Sequence, residues 1–245
     1  MPRRRKRYVF NIKRLILSGL LLSLVIEVVI AAFNSPWFYV RHIRPTGNSI
    51  IPSAEVRKRL NIKKDDNIFL IDKSVLTKRI VENPVVKDIQ LHRRLPDTLI
   101  VKVIERKPDL ILSTRETLYE VDSMGVPFRI VKSGNENLPV IFCEVPGRIT
   151  LGKPLHGSTF DVARKCLLLA REKKIFHITN LIVDQSGNLC LNVRDGYQVK
   201  LGKPYRLADK LYNAALTVEQ IPEFRQHGEY VDVSVPEAPA LKFEE

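Results

Sequence analysis

Residues 15 to 33, LILSGLLLSLVIEVVIAAF, are the stretch of this chain that water cannot hold. Nineteen residues wound at about 1.5 Å each reach roughly 28 Å, close to the ~30 Å hydrocarbon core of a bilayer. The run predicts a single N-terminal transmembrane helix. Residues 1 to 14 carry Arg3, Arg4, Arg5, Lys6, Arg7, Lys13 and Arg14 and no acid. A lysine and arginine bias of that kind keeps a flank in the cytoplasm, so the rest of the chain is expected outside. A cleaved secretory signal shares the basic start, and Val29 and Ala31 would serve its cleavage site, but its apolar region runs only about 7–15 residues. The length favours an uncleaved anchor. Trp37, Phe38 and Tyr39 follow at once and fit an aromatic collar at the headgroup level.

Glu27 lies inside the span, where a carboxylate costs a few kcal/mol unless it is neutralised or paired. Two readings stand: a protonated or snorkelling side chain that a strongly apolar helix tolerates, or a contact with another membrane helix.

The chain carries a net charge of +13, and seven of its positive charges sit in the first fourteen residues, which leaves +6 for everything else. A nucleic-acid surface needs a basic patch on a folded face, whereas a cytoplasmic tail beside anionic lipid accounts for the main cluster. No nucleic-acid partner is expected. Cys143, Cys166 and Cys190 are an odd number without CxxC or Cys/His ligand spacing, so no structural metal site is expected. Cys166 shares a helical face with Ala163, Leu167 and Ala170 and reads as a buried small hydrophobe; one disulfide with one free thiol is also open.

Beyond the span, about 210 residues suffice for two small cores. Phe38, Val40 and Ile43 predict a strand that turns at Pro45-Thr-Gly-Asn48. A helix should open at Ser53 as its N-cap, with Val56 and Leu60 on one face. Asp72 should cap a second helix bearing Leu76 and Ile80, and Asn83-Pro84 should stop it. Ile89 and Leu91 mark one strand, Leu99, Val101 and Val103 the next, with Arg94-Leu-Pro-Asp97 turning between them. The order is β-α-α-β-β over residues 38 to 107.

That order, with Ile43-Arg-Pro-Thr-Gly47-Asn48, Asn67-Ile-Phe-Leu-Ile-Asp72, Asn83-Pro-Val-Val86, Leu95-Pro-Asp-Thr-Leu99 and Val103-Ile-Glu-Arg-Lys-Pro108, resembles the POTRA domain of the bacterial division proteins FtsQ and DivIB. From residue 108 to 245 the pattern is mostly strands. Leu110 to Leu112 begin it, and Leu118 to Asp122 with Val126 to Phe128 read as a hairpin turning at Gly125, similar to a family segment of the form Tyr/Val-Asp-x-x-Gly. Leu138 to Phe142 predict a strand whose Pro139 belongs at an edge. Residues 158 to 174 predict an amphipathic helix with Val162, Cys166, Leu169 and Ala170 inward. Strands at 178–183, 189–193 and 197–201 predict an antiparallel meander. The tetrapeptide Leu-Gly-Lys-Pro occurs at 151–154 and 201–204 and reads as a recurrent strand exit before a helix. Gly196 to Gly202 and the following helix, with Leu207, Leu211, Ala215 and Val218, again resemble the family. The fold class is therefore α+β: the anchor, a POTRA-like domain, and a mixed, mainly antiparallel β domain with two helices.

Residues 229 to 235 alternate Tyr230, Asp232 and Ser234 against Val231, Val233 and Val235, the period of a half-buried strand. A shorter run, Ala240 to Phe243, follows Pro236-Glu-Ala-Pro239. The resemblance implies that these terminal strands offer an exposed edge to a strand of FtsB. On that reading the partner-binding residues are Tyr230, Val231, Asp232, Val233, Val235, Ala238, Leu241 and Phe243, and the Val233 amide is a ladder donor for the partner. Tyr230-Val-Asp-Val233 matches the family pattern, while Ser234 and Val235 stand where the family usually has an arginine and an aromatic residue.

Catalytic motifs are missing from the sequence: there is no GxSxG, HExxH, Walker A or GxGxxG, and the five histidines are scattered singly. No catalytic residue, cofactor or small-molecule substrate is expected. The resemblance implies a non-catalytic division scaffold in the bacterial cytoplasmic membrane at the septum, with its N-terminus inside, partnered by FtsB- and FtsL-type single-span proteins and other divisome components. Two other classes are a POTRA-containing transport or secretion component, which should carry several POTRA units or a barrel, and a membrane-anchored envelope enzyme.

Overall fold

The computed structural model describes residues 12–114, 117–172 and 176–244. Arg3, Arg4, Arg5, Lys6 and Arg7 lie outside them, as do the last two residues, 173 and 174, of the amphipathic helix expected at 158–174. Helix α1 (Ile12–Phe33) is unbroken, and its apolar stretch from Ile12 to Ala31 is exposed throughout. It starts three residues before the apolar run, so Lys13 and Arg14 occupy its first turn. Two compact units follow from the contacts, one holding the chain up to Ile80 together with Asp88–Ile104, the other Val81–Lys87 together with Glu105 onward.

In the first unit, Phe38 belongs to a short 3-10 helix, Pro36–Phe38, instead of the predicted strand. Ser35 caps that helix and Pro36 opens it, a combination that suits a helical first turn better than a strand. Strand β1 (His42–Thr46), helices α2 (Ser53–Leu60) and α3 (Lys73–Val81), and strands β2 (Val86–Arg94) and β3 (Thr98–Glu105) complete the β-α-α-β-β order. The sheet order is β1-β3-β2, with β1 parallel to β3. Val56, Leu60, Ile68, Ile80, Ile89, Leu99 and Val101 are fully buried, which fits the predicted helix faces. The N-cap of α2 is Pro52, not Ser53, and makes no side-chain cap bond. Ser53 is instead drawn to Asn48, whose Nδ2 lies 3.1 Å from its hydroxyl. Asp72 does cap α3, accepting from the Ser74 amide at 2.7 Å, and this bond holds its carboxyl below the ordinary carboxylate range. Gly47 has φ +73°, and a Cβ there would meet the Val103 carbonyl oxygen at 2.7 Å, so the turn after β1 requires glycine.

The second unit is built on a nine-stranded sheet. Its strands are β4 (Pro108–Thr114), β5 (Thr117–Asp122), β6 (Pro127–Val131), β7 (Val140–Phe142), β8 (Ile178–Val183), β9 (Leu189–Val193), β10 (Gln198–Gly202), β11 (Gly228–Asp232) and β12 (Ala240–Phe243). Their order is β12-β11-β10-β9-β8-β7-β4-β5-β6. The meander β8-β9-β10 is antiparallel as expected, while β7 is parallel to both β4 and β8, and β11 is parallel to β10. Strand β7 thus lies in the middle of the sheet, contrary to the edge placement predicted from Pro139. The proline sits just before the strand, where it needs no ladder donor, and its carbonyl accepts from the Ile111 amide at 2.9 Å.

Helices α4 (Ser158–Glu172) and α5 (Leu207–Gln220) and the short α6 (Phe224–His227) belong to one core cluster with the alternate residues of the strands. The buried stripe of α4 is Phe160, Ala163, Cys166, Leu167 and Ala170, which includes the face expected around Cys166, while Val162 and Leu169 are only partly buried beside it. In α5 the inward residue is Ala214, not Ala215, and Lys210 joins Leu207 and Leu211 inside. All three cysteines are free thiols. Residues 81–87 join this unit through Arg106: its amide donates to the Val85 carbonyl at 2.7 Å and its guanidinium to Pro84 at 3.1 Å. The same guanidinium meets the buried Asp122 carboxylate at 2.6 Å. Asp122 also accepts the Met124 and Val126 amides, which shapes the turn that needs Gly125 at φ +79°.

Candidate functional site

Period-two alternation forms the terminal hairpin, and the apolar members of β11 point into the core. Val231 and Val233 are completely buried, worth about 1.5–3 kcal/mol each relative to exposure. Tyr230 and Asp232 lie on the opposite, solvent-facing side, where the Lys200 ammonium sits 3.2 Å from the centre of the Tyr230 ring. Strand β11 has neighbours on both sides: β10 pairs parallel from Gln198↔Tyr230 to Lys200↔Asp232, and β12 pairs antiparallel through Tyr230↔Lys242 and Asp232↔Ala240. The expectation that Tyr230, Val231, Asp232 and Val233 form an open edge is therefore corrected. The Val233 amide donates to the Lys200 carbonyl at 2.9 Å and is spent within the chain. Alternating valines report which face is covered; they carry no information on whether a strand has one neighbour or two.

The edge at this end of the sheet is β12, one of its two outermost strands, β6 being the other. Backbone alternation identifies its free groups. Since the Val233 amide faces β10, Val231 turns toward β10 and Tyr230 and Asp232 toward β12, as far as the register shift between Gly228 and Tyr230. Tyr230 and Asp232 therefore bond Lys242 and Ala240, and the Glu244 amide, also even-numbered, donates inward to His227 at 2.9 Å. The amides and carbonyls of Leu241 and Phe243 are left pointing outward. Of the eight predicted site residues, the structure puts these two on the edge. Val235 is 55% exposed in the connecting turn with Ala238, whose amide donates to the Val235 carbonyl at 3.1 Å.

The turn is fastened from α5 and the segment before it. Tyr205 Oη donates to the Ser234 carbonyl at 2.8 Å, Asn213 Nδ2 to the Pro236 carbonyl at 2.7 Å, and the Arg206 guanidinium pairs with Glu237. Beneath them Lys210, fully buried, donates to the carbonyls of Leu201 and Lys203 at 2.7 and 2.9 Å and lies 3.7 Å from the Tyr205 ring centre. Burial lowers the pKa of this ammonium. Gly202 (φ +61°) comes so near the turn that a Cβ would meet Ser234 Oγ at 2.8 Å. The second Leu-Gly-Lys-Pro is thus a strand exit whose carbonyls anchor a lysine. The first is not: residues 151–154 lie outside any strand, so the tetrapeptide has no common role.

The far end of the hairpin rests on aromatic rings. Phe243 stacks edge-on to Phe224 at 5.5 Å, Phe224 on Tyr197 at 5.3 Å, and Tyr197 on Phe176 at 6.4 Å. Burial pushes the Tyr197 hydroxyl up to about 12. Gly228 enters β11 so close to Phe224 that any Cβ would fall 2.5 Å from its carbonyl oxygen. Reading the sequence misses Tyr205, Arg206, Lys210, Asn213 and Phe224. A lysine inside the apolar stripe of α5 was the available signal.

Glu27 lies exposed on α1, and among the described residues none hydrogen-bonds it. The described residues contain no cluster of three or more histidine, cysteine or acidic side chains able to hold a metal.

A family model described as the FtsQ-type POTRA domain matches residues 38–106. A Streptomyces bingchenggensis protein named cell division protein FtsQ is 24% identical over 98% of this chain and 87% of its own length. A Clostridium acetobutylicum protein named cell division protein DivIB is 26% identical over 89% of this chain and 88% of its own. The solved major extracytoplasmic domain of the trans isomer of DivIB from Geobacillus stearothermophilus aligns with 49% of this chain and 97% of its own at 13% identity and a TM-score of 0.32, so the weight rests on the sequence matches. The chain thus carries an apolar helix at the N-terminus and an FtsQ-type POTRA domain, and is similar along nearly its whole length to cell division proteins named FtsQ and DivIB.

Proposed function

We propose that this membrane-anchored division protein is a non-catalytic scaffold whose N-terminus is cytoplasmic and whose two folded units lie outside, at the septum. It binds FtsB- and FtsL-type single-span proteins by adding a partner strand along the outer side of β12. The observation that carries this reading is the one-sided pairing of β12, which leaves the backbone groups of Leu241 and Phe243 directed outward. Main-chain bonds to an added strand give affinity and the alternating pockets give selectivity. Four such bonds at about 0.5–1.5 kcal/mol net each are modest, but anchoring both proteins in one membrane makes the encounter intramolecular in effect, at roughly millimolar local concentration. Glu27, within the same bilayer, is the polar group through which α1 meets a partner's helix.

Co-purification from membranes tests the edge. Leu241→Pro removes an outward amide, whereas Leu241→Ala removes the side chain alone. The proposal expects partner recovery to collapse for the proline variant and to persist for the alanine variant; equal recovery of partner by Leu241→Pro and wild type refutes it.

A further inference from the structure

We propose that the end of the POTRA domain next to α1 is itself a membrane-contacting surface, with Trp37, Leu70 and Leu95 inserted into the interfacial layer of the adjoining leaflet. The proposal rests on reading α1 as the membrane span. Helix α1, at 22 residues and about 33 Å, slightly exceeds the ~30 Å core, so Phe33 sits at the boundary. The domain grips that last residue. Asn67 Nδ2 donates to the Phe33 carbonyl, and the Phe69 ring lies 4.8 Å from the Phe33 ring and 5.1 Å from that of Phe38. The backbone is joined there as well, with the Ile68 amide on the Phe38 carbonyl at 2.8 Å and the Val40 amide on Asp66 at 3.0 Å.

Three separate segments expose large apolar side chains at this end: Trp37 is 73%, Leu70 75% and Leu95 54% exposed. Leu70 is the chain neighbour of Phe69, whose ring lies against that of Phe33 at the helix terminus. The β2–β3 turn that carries Leu95 is tied to the same place, since Arg93 donates to the Ile68 and Ile71 carbonyls at 2.7 and 3.0 Å and the Asp97 carbonyl accepts the Arg41 and His42 amides. The headgroup layer is about 5–7 Å deep on each side of the core, so apolar groups held this close to its boundary are covered by lipid. Arg41 and Arg94 are exposed around the patch, at the level of lipid phosphates, together with the carboxylates of Asp65 and Asp72. Charge at this end is thus mixed, and apolar insertion supplies the contact. Of the expected collar, only Trp37 faces outward; Phe38 packs on Phe69, and Tyr39 pairs with Asn67. Leu70 and Leu95, remote in sequence, take the vacant places.

Trp37 is the chain's one tryptophan, which makes fluorescence the direct probe. Full-length protein is placed in phosphatidylcholine vesicles, unlabelled or brominated high on the acyl chain, as wild type and as Trp37→Phe combined with Leu70→Trp, Leu95→Trp or Ile50→Trp. Ile50 follows the far end of β1 and serves as the aqueous reference. The expected result is lipid quenching at positions 37, 70 and 95, with iodide quenching about threefold weaker than at position 50. Lipid quenching at 37 alone, with 70 and 95 as open to iodide as 50, overturns the surface while leaving the anchor intact. A Trp37 that lipid bromine does not quench removes the anchor and this surface together.

Discussion

Strands β11 and β12 are neighbours in one hairpin with opposite situations. Strand β11 buries Val231, with Val233 buried just past its end, and has partners on both sides; β12 is largely exposed and has one. The first is structural, held by the core and by β10. The second is held in place from behind, by Phe224 at one end and by the turn that Tyr205, Arg206 and Asn213 fasten at the other. The comparison teaches that an edge strand can be held by a rigid strand beneath it: β12 is presented with its register fixed, so under the proposed function a partner strand would pay little ordering cost on the protein's side.

Proline scanning breaks the comparison most sharply. Val233→Pro removes the amide bonded to Lys200 and disturbs a fully buried side chain, at a cost of about 4 kcal/mol. Denaturant unfolding of the purified chain should show a large fall in midpoint; a midpoint near wild type would mean β11 is not tied to β10. The same replacement at Leu241, on the outer strand, should cost only about 1 kcal/mol, because its amide has no internal partner.

Lys210 sharpens the account of how β12 is presented. Lys210→Met leaves the carbonyls of Leu201 and Lys203 without their donor, for an expected loss of about 2 kcal/mol. Its titration has a definite sign. The folded-state pKa is lowered by burial, so between that value and the ordinary ~10.4 the unfolded chain holds a proton the folded chain has released, and stability rises with pH across the window. Wild type should show this rise in alkaline melts and the methionine variant should lack it.

Much of the molecule was legible before any coordinates. The anchor, the β-α-α-β-β order and the inward faces of α2 and α3 follow from length and periodicity, because each element buries its stripe locally. The pairing of β7 was not legible, since a three-residue strand flanked by proline gives no sign of its neighbours. The role of β11 was misjudged for a related reason: sequence period encodes faces, whereas edges are decided by which distant segment arrives next. The clamp on the turn depends on Tyr205 and Asn213 meeting residues more than twenty positions away, which spacing cannot announce.

The smallest expected effect separates edge from face. Cys143 and Cys166 are buried, their thiols pushed up to about 11 and about 12, and should resist alkylation in the native protein. Cys190 is half-exposed on the solvent-facing side of the sheet, opposite Lys200 in the ladder, and should label first. Labelling of Cys190 should be unchanged when a partner strand joins β12; protection would mean that the partner covers the sheet face.

Residue-resolved hydrogen exchange on the full-length chain, alone and with a bound single-span partner, tests the central claim most directly. The account predicts that the amides of Leu241 and Phe243 exchange rapidly alone and become protected in the complex, while Lys242 and Val233 are protected in both. Leu241 and Phe243 amides that exchange equally fast with the partner bound would contradict it.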